Sequence, residues 1–324
     1  MKTRFIRTVA VAVGTAAVVA LAGCSSQPSS AADEEPISTL RVGMVALGQL
    51  PVDQAISQGY FTGPLEDAEI EYVSYPSGAA AIPALVAGDI DVVYTNNVSA
   101  GLAIAQNFDL KLITTADSIK ANNQQVVVQA DGPVSSLDDL AGETVSVNAL
   151  QSLGWLGFQV ALVDAGIDPK DVTFTEVAFP EAASVMGRGE IVAAQMPQPF
   201  AEAAVSSGDA VQLFDFNDFD ELSSLPIGNF YTTGDWAKAH PEAVRSFDAG
   251  VNKALADLAG DVDLVTQLTM AAAGSPEESA RIIAEAIEYI PNRDAAETQR
   301  VFDLMLEYDM ISAPIDINTI LIKQ

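Results

Sequence analysis

Hydrophobic and polar positions along the chain fall into short blocks whose period alternates between strand-like and helix-like. From Leu40, the apolar run LRVGMVAL is followed by a helical pattern in PVDQAISQGYF. The alternating run AEIEYVSY is followed by an alanine-rich helix that stops at Gly88. Short apolar strands separated by helices are typical of an α/β domain with a mostly parallel sheet covered on both faces. The pattern therefore predicts α/β architecture for the first part of the chain.

The pattern changes near residue 118, where the polar stretch IKANNQQ runs into the β-branched stretch VVV. Such a change indicates a crossover into a second sheet, and LPIGNFYTT later returns through a strand to a helix. Everything after Trp236 reads as helical. We therefore predict one lobe from residues 38–117 and 224–324 and a second from residues 118–223, with the two crossings acting as a hinge.

Two segments of the chain share one order of features. In residues 76–97 and again in residues 180–200, a proline precedes an alanine-rich helix, a Gly-acid-Ile step, a buried strand and a polar end. This internal repeat indicates two related lobes, each of which supplies one strand–helix unit to a shared cleft.

The first residues have the organisation of an export signal. Lys2, Arg4 and Arg7 precede an apolar run that ends in LAGC, with Cys24 as its last residue. The tetrapeptide resembles a bacterial lipobox, which implies cleavage before Cys24 and attachment of lipid to its thiol. We predict a lipoprotein signal peptide at residues 1–23 and a flexible Ser/Ala/acid tether at residues 24–37. The protein would then be anchored outside the cytoplasm, on the periplasmic face or the cell surface. An ordinary secretory signal with an incidental cysteine is the alternative.

Charge and composition exclude several classes of function. The chain of 324 residues has 15 Lys and Arg against 44 Asp and Glu, a formal charge of −29, which argues against binding nucleic acid. Cys24 is the only cysteine and His240 the only histidine, so no disulfide, cysteine metal site or histidine-based triad is expected. No phosphate-binding loop, dinucleotide fingerprint or EF-hand loop is present. We expect a binding protein without catalytic residues, metal or cofactor.

The best candidate binding feature is the start of the alanine-rich helix. Ser77 and Gly78 leave the helix N-terminus without bulk or charge, and helix N-termini offer unpaired N–H groups to anions. Asn96 and Asn97 follow the next strand, at the strand end where open α/β sheets bind ligands. Ser77 as a simple helix cap, with Gly78 in a turn, explains the same residues without a ligand.

Several segments together resemble the solute-binding proteins of bacterial import ABC transporters of the taurine, aliphatic sulfonate, nitrate and thiamine-precursor type. They are PSGAAAIPALVAGDIDVVYTNN, LAIAQNFDLKLI, SSLDDLAGETVSVN, LVDAGIDPKDVTFTEV and AKAHPEAVRSFDAGVNKALADL. The resemblance implies a two-lobe, type II periplasmic-binding fold with mixed sheets flanked by helices. It also implies a monomer that encloses a small solute and delivers it to a membrane permease with its ATPase.

The resemblance also implies which residues bind the ligand. They are the helix start Ser77, Gly78 and Ala79, the loop residues Asn96, Asn97 and Gln49, the second helix start Gln151 and Ser152, and the wall residues Phe179, Glu181 and Gln198. Gln198 stands where many relatives carry tryptophan and an acid. The nearest basic residue to these loops is Lys120. A sulfonate-like or nitrate-like anion and a neutral amide-bearing or ring-bearing ligand both remain open.

Two other functions fit the same fold. One is a lipoprotein that senses a ligand and presents its bound state to a receptor, which the sequence does not separate from an importer component. The other is an enzyme related to the pyrimidine-synthesising and menaquinone-pathway proteins of the cytoplasm. Those proteins would lack an export signal, and the pyrimidine-synthesising type carries a cysteine-rich signature that a chain with one cysteine does not supply.

Overall fold

The computed structural model describes residues 34–45, 48–292 and 294–322. The predicted signal peptide, Cys24 and the first part of the predicted tether lie outside these residues. Within the described part of the tether, the Glu34 carboxylate accepts a hydrogen bond from the Glu242 amide at 2.8 Å. It also lies 3.2 Å from Nδ1 of His240. Among the described residues, no helix combines the length and the apolarity needed to cross a membrane.

Two five-stranded sheets carry the fold. The first contains, in spatial order, β2 (Glu69–Tyr75), β1 (Thr39–Val45), β3 (Val92–Asn96), β11 (Gly228–Thr233) and β4 (Leu110–Thr115). The second contains β8 (Thr173–Glu176), β7 (Thr144–Val147), β9 (Ala193–Pro197), β6 (Gln124–Gln129) and β10 (Ala210–Asp215). A two-stranded pair joins β5 (Asp117–Ile119) to β12 (Ile287–Tyr289).

The helices of the described residues cover both faces of these sheets. In chain order they are α1 (Leu50–Ser57), α2 (Gly78–Ala87), α3 (Asn97–Ala105), α4 (Leu153–Asp164), α5 (Phe179–Gly187), α6 (Phe200–Ser206), α7 (Gly234–Ala239), α8 (Pro241–Leu258), α9 (Val262–Ala273), α10 (Glu277–Ala286), α11 (Ala295–Glu307) and α12 (Ile317–Ile320). The predicted fold class, α/β with mixed sheets flanked by helices, is confirmed.

The two sheets have the same strand order and the same directions. In the first, β1 is parallel to β2 and β3, whereas β11 runs antiparallel between β3 and β4. In the second, β7 is parallel to β8 and β9, whereas β6 runs antiparallel between β9 and β10. The antiparallel strand of each sheet is therefore the one that the chain forms directly after it arrives from the other sheet.

The internal repeat occupies equivalent places in the two sheets. Strands β3 and β9 both lie third in their sheets. Each is preceded by the helix of its repeat copy, α2 or α5, and followed by a further helix, α3 or α6. The preceding helix leads in both copies to a glycine in the left-handed region, Gly88 at φ 78° and Gly189 at φ 72°. Ile90 and Ile191, two residues later, are both 2% exposed. Glycine is favoured there because L side chains strain at positive φ.

One sequence-based prediction was wrong: residues 287–289 are not helical. Helix α10 ends at Ala286, and β12 pairs antiparallel with β5, with Tyr289 opposite Asp117. Tyr289 is 6% exposed. Local helical periodicity is overridden here because pairing with a crossover strand buries this aromatic residue and satisfies the backbone.

Three chain segments meet where the two sheets join. Ser118 forms an isolated antiparallel bridge with Pro226, and the Ile119 amide donates to the Leu225 carbonyl at 2.9 Å. The Asn123 side-chain amide donates to the Ala286 carbonyl at 2.9 Å. The junction thus includes both crossings and, in addition, the segment around β12. The residue bounds of the two lobes stay a prediction.

The outer edge of β4 is covered by the last described residues. Leu321 forms a parallel bridge with Leu112, and the Ile322 amide donates to the Leu112 carbonyl at 3.4 Å. Nearby, Nζ of Lys111 donates to the Thr319 carbonyl at 3.1 Å. The edge strand is therefore partly paired rather than open to water.

Asp215 ties the two crossings together at the second sheet. Its carboxylate accepts hydrogen bonds from the Asn122 amide at 2.9 Å and from the Asn217 amide at 2.8 Å. The side chain is 3% exposed. Burial raises the pKa of Asp215 to about 6, and the two amides, which lower it, offset only part of that effect.

This raised pKa predicts a pH dependence of stability. A proton on Asp215 favours the folded state, so the stabilisation is complete below the unfolded value of 3.8 and is lost as the pH rises through about 6. The free energy of unfolding of the wild type, measured by urea titration, should therefore fall between about pH 4.5 and about pH 7. This fall should be absent in the neutral variant Asp215→Asn. Asp220→Asn, which removes the same charge at an exposed position, should keep it. Equal pH dependence in the Asp215 variant and the wild type would contradict the assignment.

Gly157 in α4 makes room for the second crossing. A Cβ at this position would lie 2.2 Å from the ring of Phe216, which is fully buried. Gly187, at the end of α5, has no atom within 4 Å of the equivalent point. The first glycine is therefore required by packing, whereas the second is not.

Gly157→Ala should lower the free energy of unfolding by about 1–3 kcal/mol, because overpacking outweighs the better helix propensity of alanine. Gly187→Ala should leave it unchanged or raise it. Urea unfolding of the two variants gives the comparison. A Gly157→Ala protein as stable as the wild type would show that the Phe216 ring moves away at little cost.

Candidate functional site

The start of α2 packs closely against the end of β3, and one glycine allows this approach. Ser77 caps the helix: its side-chain oxygen accepts a hydrogen bond from the Ala80 amide at 3.3 Å. A Cβ on Gly78 would lie 1.8 Å from Oγ1 of Thr95, so no larger residue fits without a shift. Thr95 is 1% exposed, and its hydroxyl has no hydrogen-bond partner among the described residues. A helix N-terminus and an unsatisfied hydroxyl thus meet at Gly78.

The asparagines that follow β3 already have partners within the protein. Asn96 caps α3, and its Oδ1 accepts from the Ser99 amide at 2.9 Å. Asn97 is 1% exposed; its Oδ1 accepts from the Tyr231 hydroxyl at 2.5 Å and its Nδ2 donates to the Pro226 carbonyl at 3.4 Å. Their role in ligand binding stays a prediction, and in this conformation both side chains stabilise the end of the sheet.

Gln49 precedes α1 at the same edge of the first sheet. Its Oε1 atom is buried without a hydrogen-bond partner among the described residues. The adjacent Gly48 packs on the ring of Tyr94, and Gly228 packs on its hydroxyl. That hydroxyl donates to Oδ2 of Asp117 at 2.6 Å. Burial, and then the Asp117 charge, raise the pKa of Tyr94 well above its ordinary value. The Tyr94 side chain at this edge is therefore neutral and hydrogen-bonded to the Asp117 carboxylate.

Asn229 is a polar residue at this edge that the sequence did not single out. It lies opposite Thr95 in the β11–β3 register and is fully buried. Its Nδ2 donates to the Ile227 carbonyl at 3.2 Å, whereas its Oδ1 has no partner among the described residues. The residue was missed because β11 is antiparallel, so its beginning, and not its end, lies at the carboxyl edge of the parallel strands.

The second sheet presents a similar helix start. Ser152 caps α4 and accepts a hydrogen bond from the Trp155 amide at 3.3 Å. Gln151, just before it, is exposed and has a φ of 57°. Gly154 packs against the Gln195 side chain, with its Cβ position 2.3 Å from Oε1. The Leu150 amide donates to Oε1 of Glu176 at 2.7 Å, which places a carboxylate beside this loop.

The three predicted wall residues lie at the starts of α5 and α6, and Glu181 is in the first turn of α5. Phe179 is the first residue of α5, and its ring stacks on that of Phe200 at 5.7 Å between centroids. The Gln198 side-chain oxygen accepts from the Glu202 amide at 3.2 Å, and the residue lines a cavity of about 300 Å³. Gln198 therefore faces a cavity beside α6.

Eight segments at the carboxyl edges of the two sheets contain no lysine or arginine: residues 48–51, 76–79, 95–98, 115–118, 148–153, 178–181, 198–201 and 226–229. Lys120 lies four residues before the antiparallel strand β6, whose beginning is at the same edge of the second sheet. Among the described residues, no group of three or more His, Cys, Asp or Glu side chains is placed to hold a metal. Polar contacts from these eight segments therefore come from backbone N–H groups, hydroxyls, amides and carboxylates.

Comparison with known proteins gives concordant matches. The family model described as NMT1/THI5 like matches residues 50–262. The taurine-binding periplasmic protein of Escherichia coli (strain K12) is 23% identical over 180 residues, which covers 56% of this chain and 54% of that protein. The putative aliphatic sulfonates-binding protein of the same organism is 26% identical over 234 residues, 72% of this chain and 70% of that protein. The chain thus spans about half the length of the first of these relatives.

Solved structures share the fold at low sequence identity. The periplasmic aliphatic sulphonate binding protein of Escherichia coli matches with a TM-score of 0.71 and 21% identity, over 87% of this chain and 97% of that one. The alkanesulfonate-binding protein of Xanthomonas axonopodis pv. citri, bound to MOPS, matches with a TM-score of 0.74 and 18% identity, over 90% and 99%. The architecture is therefore that of periplasmic binding proteins.

The unsatisfied hydroxyl of Thr95 leads to a stability prediction. Replacing it by a methyl group in Thr95→Val should raise the free energy of unfolding by about 1 kcal/mol, because a buried hydroxyl without a partner destabilises the fold. Thr298→Val is the matched control, since the Thr298 hydroxyl shares a hydrogen bond with that of Thr115 at 3.4 Å. The control should lower stability. Urea unfolding of both variants tests the difference, and destabilisation by Thr95→Val would contradict it.

Proposed function

The chain belongs to the NMT1/THI5-like family, and from that premise we propose that it is the extracytoplasmic solute-binding protein of an ABC importer. It captures a small organic solute between the two sheets and delivers it, unchanged, to a permease with its ATPase. Lipid on Cys24 anchors it to the outer face of the membrane. The sulfonate and taurine ligands named for its relatives, nitrate, and thiamine-precursor-like rings are the candidate solutes.

The observation that carries this proposal is the meeting of the α2 N-terminus with the Thr95 hydroxyl at Gly78. The Ser77 side chain accepts the hydrogen bond of the Ala80 amide, so the amides of Gly78 and Ala79 are the ones that donate to a ligand atom at the helix start. A buried hydroxyl without a partner is costly, and such groups are retained where they serve a function. A ligand oxygen held on backbone N–H groups is the established chemistry of helix N-termini.

The second half of the site is the α4 start. Gln151 and Ser152 face the cleft from the second sheet, as Ser77 and Gly78 do from the first. The identical strand order of the two sheets supports this pairing. The junction of both crossings with β12 acts as the hinge on which the sheets approach each other. Closure then surrounds the solute with groups from both lobes.

Binding without chemistry fits the side chains available. The described residues lack a metal cluster, and the one histidine lies between α7 and α8 beside Glu34. The helix-start groups donate hydrogen bonds but provide no nucleophile with an adjacent base. The site therefore holds its ligand and releases it unchanged.

The test is calorimetry with taurine, ethanesulfonate, nitrate and 4-aminopyrimidine, followed by two substitutions at the helix start. Ser77→Ala and Ser77→Tyr both remove the cap and should lower stability similarly, by about 1 kcal/mol. Only tyrosine fills the cleft, so Ser77→Tyr should abolish binding of the active probe, whereas Ser77→Ala should retain it. Equal affinity in both variants would remove the site assignment. Turnover of a probe by the purified protein would overturn the binding-protein proposal.

A further inference from the structure

A polar cavity lies beside the junction of the sheets, and neither helix start of the proposed solute site lines it. Of the predicted solute-binding residues, Gln198 does line it. Its volume is about 300 Å³, at the lower end of the range for small-molecule sites. One wall comes from the second sheet and α6, and the facing wall from α10. Helix α10 leads directly into β12, which pairs with the crossover strand β5. An occupant would therefore touch both sides of the junction.

Hydrogen-bonding side chains dominate the lining. Four amides contribute: Asn122, Gln125, Gln198 and Gln212. Gln125 is 5% exposed, and its Nε2 has a long hydrogen bond of 3.4 Å to Oδ1 of Asn122. These side chains supply amide oxygens that accept from N–H groups.

Two carboxylates stand on the opposed walls. Glu202 lies in the first turn of α6 and Glu285 in the last turn of α10, and no lysine or arginine lines the cavity. Arg281, one turn before Glu285, is the basic group nearest along that helix. Its guanidinium donates to Oδ1 of Asp263 at 2.7 Å. Arg281 also interacts electrostatically with Glu285, but the cavity lining itself contains two carboxylates and no basic group, in a chain whose formal charge is −29.

Apolar side chains separate the polar groups. Val205 of α6 and Ile282 of α10 both contribute to the lining. A bare metal ion makes poor use of such a surface, because hard cations seek six or more oxygen ligands. A short methylene chain with an ammonium group at each end uses all three kinds of lining: carboxylates, amide oxygens and aliphatic surface.

We propose that this cavity, between α6 and α10, binds a short aliphatic diamine whose two ammonium groups engage Glu202 and Glu285. The diamine holds the second sheet against α10 and so restrains the junction on which closure depends. The site is distinct from the α2 N-terminus, so the proposal stands or falls separately from the identity of the transported solute.

The test is titration calorimetry of the full protein with 1,4-diaminobutane, with 1-aminobutane as the matched probe, at constant ionic strength. Saturable binding of the diamine, at least about tenfold tighter than that of the monoamine, is expected, since one charge-assisted hydrogen bond contributes that much. Glu202→Gln and Glu285→Gln should each weaken diamine binding by about tenfold or more.

Glu278→Gln is the control, because it removes the same charge from an exposed position on α10 outside the cavity. It should leave the affinity unchanged. Circular dichroism confirms that all three variants are folded. The proposal is overturned if the diamine gives no saturable heat, if the monoamine binds equally well, or if Glu278→Gln weakens binding as much as the cavity variants.

Discussion

Strand β4 joins the first sheet only through β11, and β10 joins the second only through β6. Both linking strands run antiparallel to their neighbours, and each is formed by the chain just after it has crossed from the other sheet. The first sheet is therefore complete only after the chain has passed through the second, whereas the second is formed by one continuous segment, residues 124–215. Strand β3 pairs with β11 across more than a hundred residues of intervening sequence, so this pairing is non-local and its formation carries a large loop-closure entropy.

The return of the chain into the first sheet also places polar groups at the edge where we propose that the ligand binds. Because β11 is antiparallel, its first residues lie beside the ends of β3 and β4, and Asn229 comes to lie next to Thr95. Three of the six buried side-chain polar atoms without a partner among the described residues belong to Gln49, Thr95 and Asn229. All three residues lie at this edge. Buried polar atoms without a partner lower the stability of the folded state. Their concentration at this edge indicates that they are retained for ligand recognition.

Much of this arrangement was predictable from local pattern. The alternation of strands and helices, the start of α2 at Ser77 and Gly78, and the glycine stops at Gly88 and Gly189 depend on neighbouring residues only, and the sequence shows them directly. Strand direction does not have a local signature, which is why Asn229 was missed. The strand conformation of residues 287–289, which were predicted to be helical, depends on a partner strand some 170 residues away. The burial of Asn97 against Tyr231 is likewise a tertiary contact that the local sequence does not show.

The two edges of the first sheet are protected by different means. On one side, Leu321 and Ile322 run alongside β4 and occupy part of its outer backbone. On the other side, β2 presents the exposed carboxylates of Glu69 and Glu71. Free sheet edges invite strand addition by a second molecule, and covering or charging them opposes it. Copies of this protein crowded together can thus meet without templating one another into an extended aggregate.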